Sequence, residues 1–215
     1  MTEIQILAGR ALLSGSLANP ENSKALVLFA HGSGSSRHSP RNQFVAGALN
    51  RAGLGTLLFD LLTQEEEALD IKTREYRFNI GLLAERLIHA TNWVRQQEKT
   101  RDLQIGYFGS STGGAAALVA AAELPQDAGA VVSRGGRPDL AGAALPRVQA
   151  PTLLIVGGND DIVIALNEKA RDQMRCEVSM EIVPGATHLF EEPGALEKVA
   201  KLASDWFSLH RGGPH

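Results

Sequence analysis

Gly109-Ser110-Ser111-Thr112-Gly113 is a G-x-S-x-G pentapeptide lying between an apolar stretch, residues 103–108, and the alanine-rich run that opens Ala115-Ala116-Ala117. A strand that turns sharply into a helix holds its central residue in a strained conformation and exposes the side chain; small flanking residues keep the turn free of clashes. Ser111 occupies that centre and is the candidate nucleophile, while Ser110 is off the motif's register and reads as structural. The helix opening at Thr112 aims its free amides at the place where negative charge would develop. A Ser/Gly-rich turn without chemistry is the plain alternative, and the strand before and helix after weigh against it.

A serine hydroxyl is a weak nucleophile at neutral pH and needs a base from elsewhere in the chain. Of six histidines, His188 follows the apolar stretch 178–183 in Pro184-Gly185-Ala186-Thr187-His188 and precedes the last helix pattern, so it should emerge at the same sheet edge as Ser111. His38, His89, His210 and His215 read as surface or packing residues. The residue that orients the base should follow the stretch 152–156, where Gly157-Gly158-Asn159-Asp160-Asp161 offers two adjacent carboxylates. Asp160 is preferred, because Asp161 then begins the turn into Ile162-Val163; neighbouring side chains point differently, so both stay open. An Asx turn or helix cap is the plainer use of either.

The loop His31-Gly32-Ser33-Gly34 follows the stretch 25–30 and is placed to donate a backbone amide to an oxyanion. Ser33 and Thr112 are the expected donors, through their N–H groups and not their hydroxyls. His31 reads as structural, its ring bonded to nearby backbone. A phosphate cradle finds no support, since neither G-x-x-x-x-G-K-[ST] nor G-x-G-x-x-G is present. Arg134, at the end of the stretch 129–132, could hold a substrate carboxylate or serve in a structural ion pair. Cys176 has no spaced partner and reads as inert, and without a cluster at ligand spacing no metal and no cofactor are expected.

The elements that must position these groups alternate in type. Apolar runs at 25–30, 56–59, 103–108, 129–132, 152–156 and 178–183 read as buried strands separated by helical patterns, which predicts an α/β fold around a mostly parallel sheet. Residues 3–7 and 10–17 read as an antiparallel edge hairpin, making about eight strands. Ser39-Pro40 starts a helix that Gly53 ends; further helices are expected over 79–97 and 194–209. Residues 64–77 carry Glu65, Glu66, Glu67, Asp70, Lys72, Arg74 and Arg77, and read as a solvated face.

The bulk numbers narrow the setting. With 215 residues, 44% hydrophobic and 21% charged, the chain should form one globular domain over 1–215. A formal charge of -3 without basic and aromatic clustering argues against a nucleic-acid partner. One cysteine, no export signal and no long apolar run point to the cytoplasm and away from a membrane; the oligomeric state is left open.

HGSG, G-x-S-x-G, GGNDD and GATH stand in that order along almost the whole chain, and the sequence resembles the dienelactone hydrolase-like branch of the α/β-hydrolases. The chain order nucleophile, acid, histidine agrees with that fold and differs from other serine-hydrolase folds. The resemblance implies a minimal core domain without a separate lid, and esterase or lactonase chemistry without a cofactor. Dienelactone hydrolases carry cysteine where this chain has Ser111. The expected function is therefore cleavage of a small ester, thioester or lactone through an acyl-enzyme on Ser111. Two other readings stay open: a non-catalytic ligand-binding protein on the same fold, and an acyl- or peroxide-transferring enzyme that uses the same serine.

Overall fold

The computed structural model describes residues 1–211, so His215 lies outside the described residues. Eight strands form one sheet: β1 (Thr2–Ala8), β2 (Ala11–Ala18), β3 (Ala25–Ala30), β4 (Gly55–Phe59), β5 (Gln104–Ser110), β6 (Ala128–Arg134), β7 (Thr152–Gly157) and β8 (Val178–Val183). Their order across the sheet is β1-β2-β4-β3-β5-β6-β7-β8. β1 with β2 and β2 with β4 pair antiparallel, and every later pairing is parallel. The expected edge hairpin is the antiparallel flank, and the six apolar stretches are the parallel body.

The parallel strands read as continuous apolar runs because both sheet faces are covered. Along β3, Leu26, Leu28 and Ala30 join one core and Val27 and Phe29 the other, as a two-residue side-chain period requires. The first core packs α3 (Ile80–Gln96) and α4 (Thr112–Glu123) through Leu87, Val94 and Ala117. The second packs α1 (Pro40–Arg51) and α6 (Ala195–Leu209) through Val45, Leu49, Val199 and Trp206. Ser39 caps α1 ahead of Pro40, and Asn79 caps α3 through the Leu82 amide.

Two further helices and a 3₁₀ segment lie between the strands. Helix α2 (Gln64–Thr73) starts in a capping box, the Thr63 hydroxyl and Glu66 carboxylate each meeting the other's backbone N–H, and ends on Arg74 in the left-handed conformation. Residues 64–77 are mostly exposed, as a solvated face requires, but Asp70 is fully buried. Helix α5 (Asp161–Arg171) follows β7. Between β6 and β7 there is only a 3₁₀ segment, Pro138–Arg147, bent at Gly142, and no inserted lid.

This topology decides where chemistry can occur. Parallel strands joined by right-handed crossovers present all their carboxyl ends at one edge. The His31 loop leaves β3 there, Ser111 follows β5, Arg134 ends β6, Asp160 follows β7 and His188 follows β8.

Candidate active site

Ser111 sits at φ +52°, ψ −122°, in the left-handed region that a non-glycine residue enters at a cost of roughly 1–3 kcal/mol. The turn exists because its neighbours lack side chains. A Cβ on Gly109 would lie 2.4 Å from the Gly113 carbonyl oxygen, and one on Gly113 would lie 2.1 Å from that of Ala30. The Ser111 carbonyl accepts the amides of Gly114 at 3.0 Å and Arg137 at 3.1 Å, which fixes the bend from the other side.

His188 arrives on a loop pressed against the end of β7. A Cβ on Gly157 would stand 2.5 Å from the Ala186 carbonyl oxygen, so glycine there lets the loop approach. Asn159 ties the two segments together, its amide to the Ala186 carbonyl at 2.9 Å and its side chain to that of Gly185 at 3.0 Å. His188 Nδ1 then lies 2.7 Å from Asp160 Oδ2. Asp160 is the N-cap of α5, yet its side chain makes no capping bond; the carboxylate is turned to the histidine instead. Asp161 is the exposed first residue of α5 and makes no bond to His188. With Nδ1 facing a carboxylate, the neutral ring keeps its proton on that nitrogen and leaves the Nε2 lone pair free.

The loop after β3 lies directly on the turn, since a Cβ on Gly32 would be 3.1 Å from Ser111 Cβ. His31 Nε2 accepts the Leu61 amide at 3.0 Å, so Nδ1 carries the ring proton and donates to the Gly32 carbonyl at 2.9 Å. Burial holds this imidazole below the ordinary histidine range, and it stays neutral. The structural reading of His31 agrees with these bonds. Ser33 Oγ lies 3.0 Å from Thr112 Oγ1 and 3.1 Å from the Arg77 carbonyl oxygen. Thr112 is the first residue of α4, where the amides have no intrahelical acceptor.

Arg134 is 6% exposed, and no carboxylate pairs with it among the described residues. One Nη donates to Ser110 Oγ at 2.8 Å and to Asn42 Oδ1 at 3.4 Å; Nε is buried without a partner, and the guanidinium carbon lies 5.8 Å from the centre of the Phe190 ring. Burial first, then Arg41, pushes the guanidinium down to about 10, which leaves it cationic at neutral pH. The ion pair weighed for Arg134 is absent among the described residues, and Ser110 is bonded between Asn42 and Arg134, in keeping with its structural reading. Ser33, Asn42, Ser111, Arg134, His188 and Leu189 line a cavity of about 220 Å³.

The burial of Asn42 and Asp70 was not legible in the sequence. Asn42 did leave a sign: it shares the stripe of Val45, Ala46 and Leu49 on α1, a polar residue where the apolar face belongs. Burial pushes the Cys176 thiol up, in keeping with its inert reading. No group of three or more His, Cys, Asp or Glu gathers as a metal site among the described residues, and no described helix is long and apolar enough to cross a membrane.

This sheet order, with a strained serine after β5 and an acid and histidine after β7 and β8, defines an α/β-hydrolase fold. The chain belongs to the alpha/beta hydrolase domain family, whose model matches residues 23–201. It is similar to a crystal structure of dienelactone hydrolase from Anabaena variabilis, at 58% identity and TM-score 0.96, over 98% of this chain and 97% of that one. Two Mycobacterium tuberculosis proteins, each named "Putative phosphoribosyl transferase", are 57% identical over 99% of this chain, which spans only 47% of their length. Est1E from Butyrivibrio proteoclasticus shares the fold at TM-score 0.80 and 15% identity, over 97% and 98% of the two chains.

Proposed function

We propose that this chain works as one domain, 1–215, and is a serine esterase cleaving a small ester, thioester or lactone that carries a carboxylate. The observation that supports it most is the 2.7 Å contact between Asp160 and His188 on the cavity that Ser111 also lines. His188 Nε2 takes the Ser111 proton as Oγ bonds to the substrate's carbonyl carbon, and Asp160 holds the imidazolium so formed. The carbonyl oxygen becomes an oxyanion beside the Ser33 and Thr112 amides. Collapse breaks the bond to the leaving oxygen or sulfur, which takes the proton from Nε2. Water then repeats the sequence on acyl-Ser111: His188 accepts its proton, the acid departs and Ser111 Oγ is reprotonated.

Arg134 supplies the substrate's other requirement. A buried cation facing a polar cavity without a counter-charge is suited to a ligand that brings one, and guanidinium binds carboxylate with paired hydrogen bonds. The transferase name belongs to proteins of which this chain spans 47%, whereas a nucleophile, a base and an anion clamp are equipment for acyl chemistry.

The test is labelling with a fluorophosphonate and mapping of the modified residue, followed by turnover of p-nitrophenyl butyrate and mono-p-nitrophenyl succinate, which share a leaving group and a four-carbon acyl chain and differ in ending on a methyl or a carboxylate. Ser111 should carry the label, and kcat/KM should favour the succinate by roughly tenfold to hundredfold, the worth of one charge-assisted bond. No label at Ser111 sinks the hydrolase reading. Equal kcat/KM for the two esters removes the anion from it.

A further inference from the structure

Asp70 is the only buried residue on α2. A carboxylate without exposure is costly unless its oxygens are met, and here they are met by a single short segment. Oδ1 accepts the amides of Tyr76 at 2.8 Å and Arg77 at 2.9 Å; Oδ2 accepts Arg77 Nε at 2.8 Å, and the Asp70 carbonyl accepts Arg77 Nη2 at 3.0 Å. Burial alone would raise the Asp70 carboxyl, but these amides and the guanidinium outweigh it and hold the group below its usual range. The backbone at Arg77 is thereby fixed, its carbonyl included.

That carbonyl accepts Ser33 Oγ at 3.1 Å. A carbonyl can only accept, so the Ser33 proton is committed to it, and in the 3.0 Å contact with Thr112 Oγ1 the threonine must be the donor. The hydroxyls form a one-way chain: Thr112 to Ser33 to the Arg77 carbonyl. Ser33 is exposed and lies between Gly32 and Gly34, the latter at φ +67°. An exposed residue flanked by glycines has little else to hold its backbone in place.

We propose that Asp70 and Arg77 are positioning residues for the oxyanion donors, holding the Ser33 amide at a set distance from the Thr112 amide through the Ser33 hydroxyl. The inference rests on Ser33 and Thr112 being those donors. It gives the Ser33 hydroxyl a task that the backbone-only expectation denied it, and it gives the acidic helix α2 a reason to bury one carboxylate.

The test compares Asp70→Asn, Ser33→Ala and the double variant in p-nitrophenyl acetate hydrolysis. Amide exchange at Ser35, whose N–H donates to the Gly32 carbonyl at 3.2 Å, gives a second readout that needs no turnover. Each single change should lower kcat by about tenfold to hundredfold, as displacement of catalytic groups does, with KM within about threefold. Because both act through one hydroxyl, the double variant should be within about twofold of the worse single, and Ser35 exchange should quicken in each. Losses that multiply overturn the proposal, as does a folded Asp70→Asn variant with unchanged kcat and exchange. If Asp70→Asn does not fold, Ser33→Ala decides, because it disturbs no buried charge: unchanged kcat and exchange in it are fatal. Should the unaltered chain cleave no ester, Ser35 exchange still decides the anchoring, and the hydrolase reading is what fails.

Discussion

Arg77, beside the loop after β3, and Arg134, at the end of β6, are both withdrawn from water, in opposite electrostatic circumstances. Arg77 meets the Asp70 carboxylate through Nε and the Asp70 carbonyl through Nη2. Arg134 is the more deeply buried of the two, yet finds only the neutral oxygens of Ser110 and Asn42. A charge kept out of water is ordinarily met by another, because leaving it alone costs more than the interactions around it return. The first region is complete in itself; the second has no carboxylate among the described residues, which is the observation behind the proposed carboxylate subsite.

The contrast matters only if Ser111 is the centre that both regions serve, so the variants that break it most deeply are those of the nucleophile and base. Ser111→Ala and His188→Ala should each lower p-nitrophenyl ester turnover by several orders of magnitude with an unchanged melting transition. Near-normal kcat in either folded variant would detach both arginines from catalysis. Asp160→Asn should cost on the order of a thousandfold or more, since the imidazole loses the anion that orients it, while Asp161→Asn costs little. A reversed ranking would move the orienting role to the exposed neighbour.

Arg134→Met sharpens the comparison directly, because the side-chain volume is largely kept while the charge goes. For mono-p-nitrophenyl succinate kcat/KM should fall roughly tenfold to hundredfold, and for p-nitrophenyl butyrate it should change less than about threefold. The melting temperature should rise, since an unmatched buried charge has been replaced by an apolar side chain. A fall in both melting temperature and butyrate turnover would make Arg134 scaffold like Arg77, and the distinction between the regions would disappear.

How much of this was legible in the sequence followed the range of the interactions. The elbow is local: Gly109, Gly113 and the apolar runs beside them state a strand, a turn and a helix, and the strained Ser111 is where that reading places it. Long-range order along the chain placed Asp160 and His188 at one sheet edge, because parallel strands share their carboxyl ends. What stayed hidden depends on pairings between distant loops. Nothing in the acidic run 64–77 distinguishes Asp70 from Glu67, because its burial comes from the fold of Tyr76 and Arg77 back onto it. Whether Arg134 has a partner depends on which side chains of α1 and β5 reach it, and two candidate carboxylates one residue apart were separated only by the start of α5.

The smallest expected effect concerns the proton and uses His31, which belongs to the fully paired region. Its Nε2 must stay unprotonated to accept the Leu61 amide, and burial holds its titration below the ordinary histidine range. Between that lowered value and the ordinary one, the unfolded chain binds a proton that the folded chain refuses. Stability is therefore fully present above the ordinary histidine range and is lost as pH falls toward the folded value. Gln can accept from Leu61 and donate to the Gly32 carbonyl but cannot titrate. His31→Gln should therefore melt a few degrees lower near neutrality, about the worth of 1 kcal/mol in a chain this size, and lose less on acidification than the unaltered protein. Arg134→Met should keep the unaltered acid slope, because a guanidinium that titrates near 10 has no proton to exchange in that window. Melting curves for the three proteins from neutral pH down through the histidine range make the measurement, with all other titrating groups common to them. If the His31→Gln curve runs parallel to that of the unaltered protein, the imidazole is not the acid-sensitive element of the loop. If the Arg134→Met curve departs instead, the region read as lacking an anion is coupled to a titrating group, and the two halves of the comparison are not independent.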